Sequence, residues 1–213
     1  MAAQAAGERV RAAVEEVGAI GEACARALGD SREALARGDE LLARRVIAGD
    51  GAIDLRCTAL EDEVLSILAL SGPLAGDMRR TVAVFKAIND LERAGHYAVH
   101  AARAVHAGAG APAEIVTMAS EASAMLAAGA WALCGEDVER ARAVIARDSA
   151  VDRLCARVRH RFDAGGEGGD PEAARWLLAS RALERAADHA VSIAQWAIYA
   201  ATGERPDVAT PAP

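Results

Sequence analysis

Apolar residues recur at alternating steps of three and four along most of this chain, which is the spacing of one face of an α-helix. The pattern predicts six helices in two sets of three. Gly38-Asp39 and Gly135-Glu136-Asp137 separate helices, with Asp suited to capping the helix that follows. The predicted helices run roughly over Glu8 to Ala36, Glu40 to Leu70, Leu74 to His106, Ala113 to Leu133, a segment ending near Phe162, and Pro171 to Thr202.

The two sets of helices are copies of one unit. Val46 to Asp54 recurs as Val144 to Asp152 at an offset of 98, and Leu91 to Ala94 recurs as Leu183 to Ala186 at an offset of 92. Matches in the same order along both halves indicate an internal repeat. We therefore predict an all-α fold of two tandem pseudo-symmetric three-helix bundles, residues 1–107 and 108–203, followed by a disordered tail, residues 204–213.

The amino-acid composition limits the function classes and the cellular compartments that are compatible with this chain. Aromatic residues make up 3% of the 213 residues, and the net charge of -7 comes without a basic stripe, so nucleic-acid binding is not expected. The sequence shows no secretory signal and no uncharged stretch long enough to span a membrane. Its four cysteines form no CxxC motif, and we interpret them as reduced thiols of a cytoplasmic protein.

Acidic residues occupy equivalent places in the otherwise apolar seams of both units. Each has a second candidate ligand four residues later on the same helix face, so each pair could chelate one cation or bridge two. Alternatively, the acids lie at the solvent-exposed edge of the apolar seam and form ion pairs with Arg93 or Arg185. The candidate metal-binding pairs are Asp50/Asp54, Glu92/His96, Asp148/Asp152 and Glu184/Asp188.

Three segments resemble motifs of the PhoU family: Gly72–Arg79 (GPLAGDMR), Asp90–Ala98 (DLERAGHYA) and Ala182–Ala190 (ALERAADHA). The resemblance implies two three-helix bundles with metal clusters on acidic helix faces. It also implies a cytosolic negative regulator of phosphate uptake and phosphate signalling. Such a regulator is an adaptor between the ATPase subunit of the phosphate ABC transporter and a sensor histidine kinase. The chain would then be peripheral to the membrane only through its partners.

The chain departs from the family pattern at three positions. His96 replaces an aspartate, Tyr97 replaces a histidine, and Ala182 replaces an aspartate. An imidazole ligand favours iron, zinc or nickel over magnesium, although magnesium or manganese could occupy acidic pairs. Alternatively, His96 has lost the acid and only the second unit binds a divalent or trivalent metal. His189 follows Asp188, and we expect it at the surface, with a ligand role as the alternative.

Three function classes remain in competition. The adaptor implied by the resemblance is the leading one, and exposed Ala-rich helix faces favour a homodimer. The second is a metal-carboxylate protein for metal storage or redox chemistry, but a ferritin-like oxidase would have Glu and His three residues apart, whereas Glu92 and His96 are four apart. The third is a purely structural scaffold. No Ser-His-Asp order, P-loop or HExxH motif is present, so we predict that the protein is not an enzyme.

Overall fold

The computed structural model describes residues 2–70, 72–73, 75–163 and 170–204 of the chain. Within these ranges the fold is all-α, as predicted. The repeated order of three helices is also confirmed. In chain order the helices are α1 (Ala2–Arg37), α2 (Glu40–Leu70), α3 (Ala75–Ala102), α4 (Ala113–Gly135), α5 (Val138–Asp163) and α6 (Pro171–Thr202).

Two helix ends differ from the prediction by more than two residues. α1 begins six residues before Glu8, because its first residues are mostly alanine and Ala6 is already buried. α3 ends at Ala102 instead of His106, where hydrogen bonds between residues three apart tighten the last turn. The predicted start of that helix at Leu74 and residues 205–213 of the predicted tail lie outside the described residues.

Local chemistry explains where several helices begin and end. The Asp39 carboxylate accepts a hydrogen bond from Leu42 N at 3.0 Å at the start of α2, and the Asp137 carboxylate accepts one from Arg140 N at 2.9 Å at the start of α5. α6 has Pro171 in its first turn and Asp170 as its N-cap. Gly203 closes α6 in the left-handed conformation, with φ of +79°.

Four helices form the centre of the molecule and two lie outside it. α1 packs against α3 and α4, while α6 packs against α3 and α4, so both repeats contribute two helices to a central group. α2 lies against α1 and α3, and α5 occupies the equivalent place against α4 and α6. Buried residues from all six helices join into one hydrophobic core. The predicted domain boundary at residue 107 stays a prediction.

Small residues allow the two repeats to approach closely. A Cβ added at Gly18 would lie 2.7 Å from Cys134 Sγ, and one at Gly21 would overlap Ala130 Cβ, so α1 and α4 meet through these glycines. α4 is long and apolar enough to span a membrane, but half of its apolar stretch is buried inside the described fold, which is typical of a core helix. The composition, rich in alanine and poor in aromatics, therefore reflects close helix packing.

Candidate metal centre

The first repeat brings Asp50, Asp54 and His96 together. Asp50 and Asp54 lie one turn apart on α2, and His96 reaches them from α3. The His96 Nε2 atom is 3.2 Å from Asp54 Oδ1 and 3.7 Å from Asp50 Oδ2. One ligand atom from each of the three residues lies within 4.8 Å of the other two. The structure thus joins the predicted pair Asp50/Asp54 with His96, one member of another predicted pair.

Two carboxylate oxygens in this group are buried without a hydrogen bond. Asp50 Oδ1 and Asp54 Oδ1 accept no hydrogen bond, although Asp54 Oδ1 has the contact with His96 Nε2, and a Cβ added at Gly95 would lie 3.5 Å from Asp50 Oδ1. A buried, unsatisfied carboxylate oxygen is costly, and a bound cation would satisfy it. Two carboxylates and one imidazole form a mixed oxygen and nitrogen donor set that suits zinc, iron or nickel.

Burial and the neighbouring charges change the pKa of Asp50. Burial raises the pKa of Asp50, and the neighbouring Asp54 raises it further, whereas His96, Arg103 and His100 oppose the rise. In the absence of metal, a protonated His96 would be the counter-ion of both aspartates. His96 thus lies beside both aspartates of the neighbouring helix, and whether the first repeat binds metal stays a prediction.

Glu92, the predicted partner of His96, is not part of this group of three. It lines a separate cavity with Glu61 and Asp90. It also lies close enough to the buried Cys57 to affect its thiol: burial, followed by Glu92 and Asp54, raises the pKa of Cys57 to about 12. In the metal-free protein this thiol is therefore protonated at neutral pH. The assignment of Glu92 as a ligand stays a prediction.

The second repeat places Asp148, Asp152, Glu184 and Asp188 near one another on α5 and α6. Burial first, and then the charges of Asp152, Asp188 and Glu184, raise the pKa of Asp148 to about 6. Asp148 Oδ1 is buried without a hydrogen bond, as is its counterpart in Asp50. No three of these four residues, however, bring ligand atoms within 4.8 Å of one another.

An arginine partly occupies the second acidic face. Arg185 Nη1 lies 3.2 Å from Asp188 Oδ2, and this contact opposes the rise that burial causes in the pKa of Asp188. The alternative in which the acids pair with arginine is thus partly realised here. Asp148 therefore remains the acid of this face that a bound cation or a proton would stabilise most.

The sequence did not predict a buried polar contact between the two repeats. Asp90 on α3 lies 2.8 Å from His189 Nδ1 and accepts a hydrogen bond from Ser192 Oγ at 2.7 Å, both on α6. Only 7% of Asp90 is exposed, and the His189 ring stacks on Tyr97 with ring centroids 5.7 Å apart. The expectation of a surface role for His189 was therefore wrong, because its partner comes from the other half of the chain.

These features define a class of protein: an all-helical internal repeat with an acidic helix face in each half. The family model described as the PhoU domain matches the chain twice, over residues 17–105 and 115–197. The chain belongs to the PhoU family.

Relatives and a solved structure agree with this assignment. The chain is 31% identical over 201 residues to a phosphate-specific transport system accessory protein PhoU homolog 2 of Mycobacterium tuberculosis, covering 88% of this chain and 93% of the relative. It is 31% identical over 208 residues to a PhoU homolog of Caulobacter vibrioides, covering 93% and 90%. The crystal structure of PhoU from Streptococcus pneumoniae superposes with a TM-score of 0.86 at 23% identity, covering 95% of this chain and 100% of that one.

Proposed function

We propose that this chain is a cytosolic negative regulator of phosphate uptake and phosphate signalling. It acts as an adaptor between the ATPase subunit of a phosphate ABC transporter and a sensor histidine kinase, and it performs no catalysis itself. The observation that carries this proposal is the PhoU domain, present in both halves of the chain. The relatives' names, which describe accessory proteins of a phosphate-specific transport system, support the same role.

The metal is the second part of the proposal. Asp50, Asp54 and His96 would hold one ion in the first repeat, with zinc or iron favoured by the imidazole. Such an ion would satisfy the two buried Oδ1 atoms and neutralise a pair of carboxylates between α2 and α3. The all-carboxylate face of the second repeat suits harder cations, including magnesium and manganese.

A genetic experiment tests the regulatory role. We expect deletion of the gene to leave a phosphate-repressed reporter and phosphate uptake active in phosphate-rich medium, and the intact gene to restore repression. Normal repression in the deletion strain would contradict the proposal. Co-purification of the tagged, full-length protein should recover the transporter ATPase and the kinase, and sedimentation of the purified protein should show a homodimer.

Metal analysis tests the ligands. Protein purified without chelator should contain metal, and Asp50→Asn should lower the affinity of the first site by about 100-fold, because it replaces one of two carboxylate ligands with a neutral amide. Glu92→Ala and Glu184→Ala determine whether those residues also bind. Asp62→Asn is the matched control, since Asp62 is an exposed acid on α2 outside the group of three. Unchanged metal content in all the site variants would show that these residues are not ligands.

A further inference from the structure

A cavity of about 260 Å³ lies between α1, α2 and α3, beside the first acidic group. Its walls include the nearly buried side chains of Val46, Ile53 and Val99, and Asp50 lies at the side where the cavity meets the candidate metal centre. Three arginines also line it: Arg26, Arg45 and Arg56. The space thus combines an apolar surface with a group of guanidinium cations.

The second repeat has larger side chains at the equivalent positions. At the offset of 98, Ala23, Ala27 and Gly49 correspond to Glu121, Met125 and Arg147. Met125 is fully buried, and Arg147 donates to Glu121 Oε2 at 2.6 Å, joining α5 to α4. The offset is reliable across these helices, because Val17 and Leu28 correspond to Ile115 and Leu126 and all four are fully buried. The cavity is therefore a property of the first repeat, created by three smaller side chains.

One arginine at the cavity has no carboxylate partner among the described residues. Arg56 and Arg26 have carboxylate partners in Glu16 and Glu22, whereas Arg45 has no ion pair among the described residues. Two acids, Asp30 and Asp50, also line the cavity, but Asp50 Oδ2 lies 3.7 Å from His96 in the group of three. Arg45 is therefore the one guanidinium of the lining that is not paired with a carboxylate among the described residues, and Asp30 is the acid of the lining outside the group of three.

The charges at the edge are also specific to the first repeat. At the same offset, Arg26, Asp30 and Arg56 correspond to Ala124, Ala128 and Leu154. Binding pockets for small molecules combine mostly apolar walls with a few polar groups that orient the ligand.

We propose that this cavity binds a small organic anion, with its apolar part against Val46, Ile53 and Val99 and its anionic group held by Arg45, supported by Arg26 and Arg56. The proposal is independent of the adaptor role and of bound metal. It can therefore be tested on the metal-free, full-length chain, where its failure is distinguishable from failure of the proposed function.

The sign of the charge can be tested with three probes. Benzoate and benzamidine have nearly the same shape but opposite charge, and inorganic phosphate is an anion without an apolar part. We expect benzoate to shift the methyl NMR signals of Val46, Ile53 and Val99 and to bind at least about tenfold more tightly than benzamidine. Benzamidine binding as tightly as benzoate would overturn the proposal. Phosphate binding more tightly than benzoate would also overturn it, because the apolar walls would then contribute nothing.

Variants locate the binding. Arg45→Gln should weaken benzoate binding about tenfold, whereas Arg44→Gln, which changes a neighbour that pairs with Glu40 outside the lining, should leave it unchanged. The double variant Ala23→Glu/Gly49→Arg, which introduces the residues of the second repeat, should abolish binding. Gly49→Ala is its control, because a Cβ at Gly49 meets nothing within 4 Å. Unchanged benzoate binding in the folded double variant would contradict the assignment to this cavity.

Discussion

The two repeats share an order of helices, but their acidic faces differ in residues and contacts. In the first, two aspartates and a histidine come within 4.8 Å of one another beside an open cavity. In the second, four carboxylates share a face, an arginine pairs with one of them, and a salt bridge occupies the space equivalent to the cavity. Duplication has thus preserved the scaffold while the two sites acquired different donor sets.

The contact between Asp90 and His189 shows how such a difference arises. At the offset of 92, Asp90 corresponds to Ala182 and His189 corresponds to Tyr97. The antiparallel register that places Asp90 beside His189 also places Tyr97 level with Ala182. Two departures from the family pattern are therefore the two halves of one missing contact. The contact is present between Asp90 and His189. At the pseudo-symmetric place both partners are replaced, by Ala182 and Tyr97.

The largest effect is expected for Asp90→Ala. The substitution leaves His189 and Ser192 without their shared acceptor in a mostly buried place, which should lower the free energy of unfolding by about 2–3 kcal/mol. Urea unfolding followed by circular dichroism measures this change. Asn89→Ala, at the exposed neighbouring position, should change stability by less than about 0.5 kcal/mol. Equal effects of the two substitutions would show that the contact does not hold the repeats together.

The missing contact should be restorable. Ala182→Asp alone places a carboxylate at a position that is 5% exposed, and Tyr97→His alone removes the ring that stacks on His189, so each single variant should be destabilised. Together they recreate the arrangement of Asp90 and His189. A double-mutant cycle should then give a favourable coupling of about 1–2 kcal/mol. Additive effects would mean that the pseudo-symmetry does not extend to this position.

The acidic face of the second repeat should make the metal-free protein sensitive to pH. The pKa of Asp148 rises from 3.8 to about 6, so the folded state binds a proton more tightly than the unfolded chain does. Its contribution to the free energy of unfolding is therefore most favourable below about pH 4. That contribution falls as the pH rises to about 6, and stays low above it. After allowance for solvent screening of this partly exposed group, the loss is about 1 kcal/mol.

Asp148→Asn should remove this pH dependence. With chelator present, the variant should be about 1 kcal/mol more stable than the wild type at pH 7.5 and nearly equal to it at pH 4. Asp50→Asn provides the comparison in the first repeat, where His96, Arg103 and His100 oppose the rise in pKa and a smaller gain is expected. A parallel pH profile for wild type and Asp148→Asn, measured by urea unfolding, would contradict the role of burial at this carboxyl.

Much of the fold followed from local chemistry. The Asp39 and Asp137 caps and Pro171 mark helix starts because they act on backbone groups within one turn, and the bounds of α6 were predicted to the residue. The repeat was equally accessible, since it is a property of the chain alone. The four acidic pairs could be found because residues four apart share a helix face.

The sequence did not predict how the helices are rotated against one another. Nothing in the Glu92/His96 spacing shows that His96 points to the aspartates of α2 while Glu92 faces Glu61. Helix packing determines this, and it depends on the rotation of α3 against α2. The same holds for Asp90 and His189, 99 positions apart, although the joint departures at Tyr97 and Ala182 were a signal of it. The cavity arises from the absence of side chains, which leaves no pattern of its own.

The smallest effect concerns the salt bridge that occupies the second repeat's equivalent of the cavity. Arg147 donates to Glu121 Oε2 through Nε at 3.1 Å and through Nη2 at 2.6 Å, and both side chains are about one-third exposed or more. Partial exposure keeps the pair solvated, so a double-mutant cycle with Arg147→Ala and Glu121→Ala should give a coupling of about 0.5 kcal/mol. The coupling should shrink in 1 M salt, about the concentration at which exposed charges are fully screened.

The same pair transplanted into the first repeat completes the comparison. If the offset of 98 describes equivalent places, Ala23→Glu and Gly49→Arg should couple by a similar, salt-sensitive amount. Glycine at an exposed helix position also lowers stability, so Gly49→Arg should be stabilising by roughly 0.5–1 kcal/mol even without its partner. Coupling in the second repeat but none in the first would show that the cavity has a shape of its own, different from the space that Arg147 and Glu121 occupy. Equal coupling would show that only side-chain size distinguishes the two.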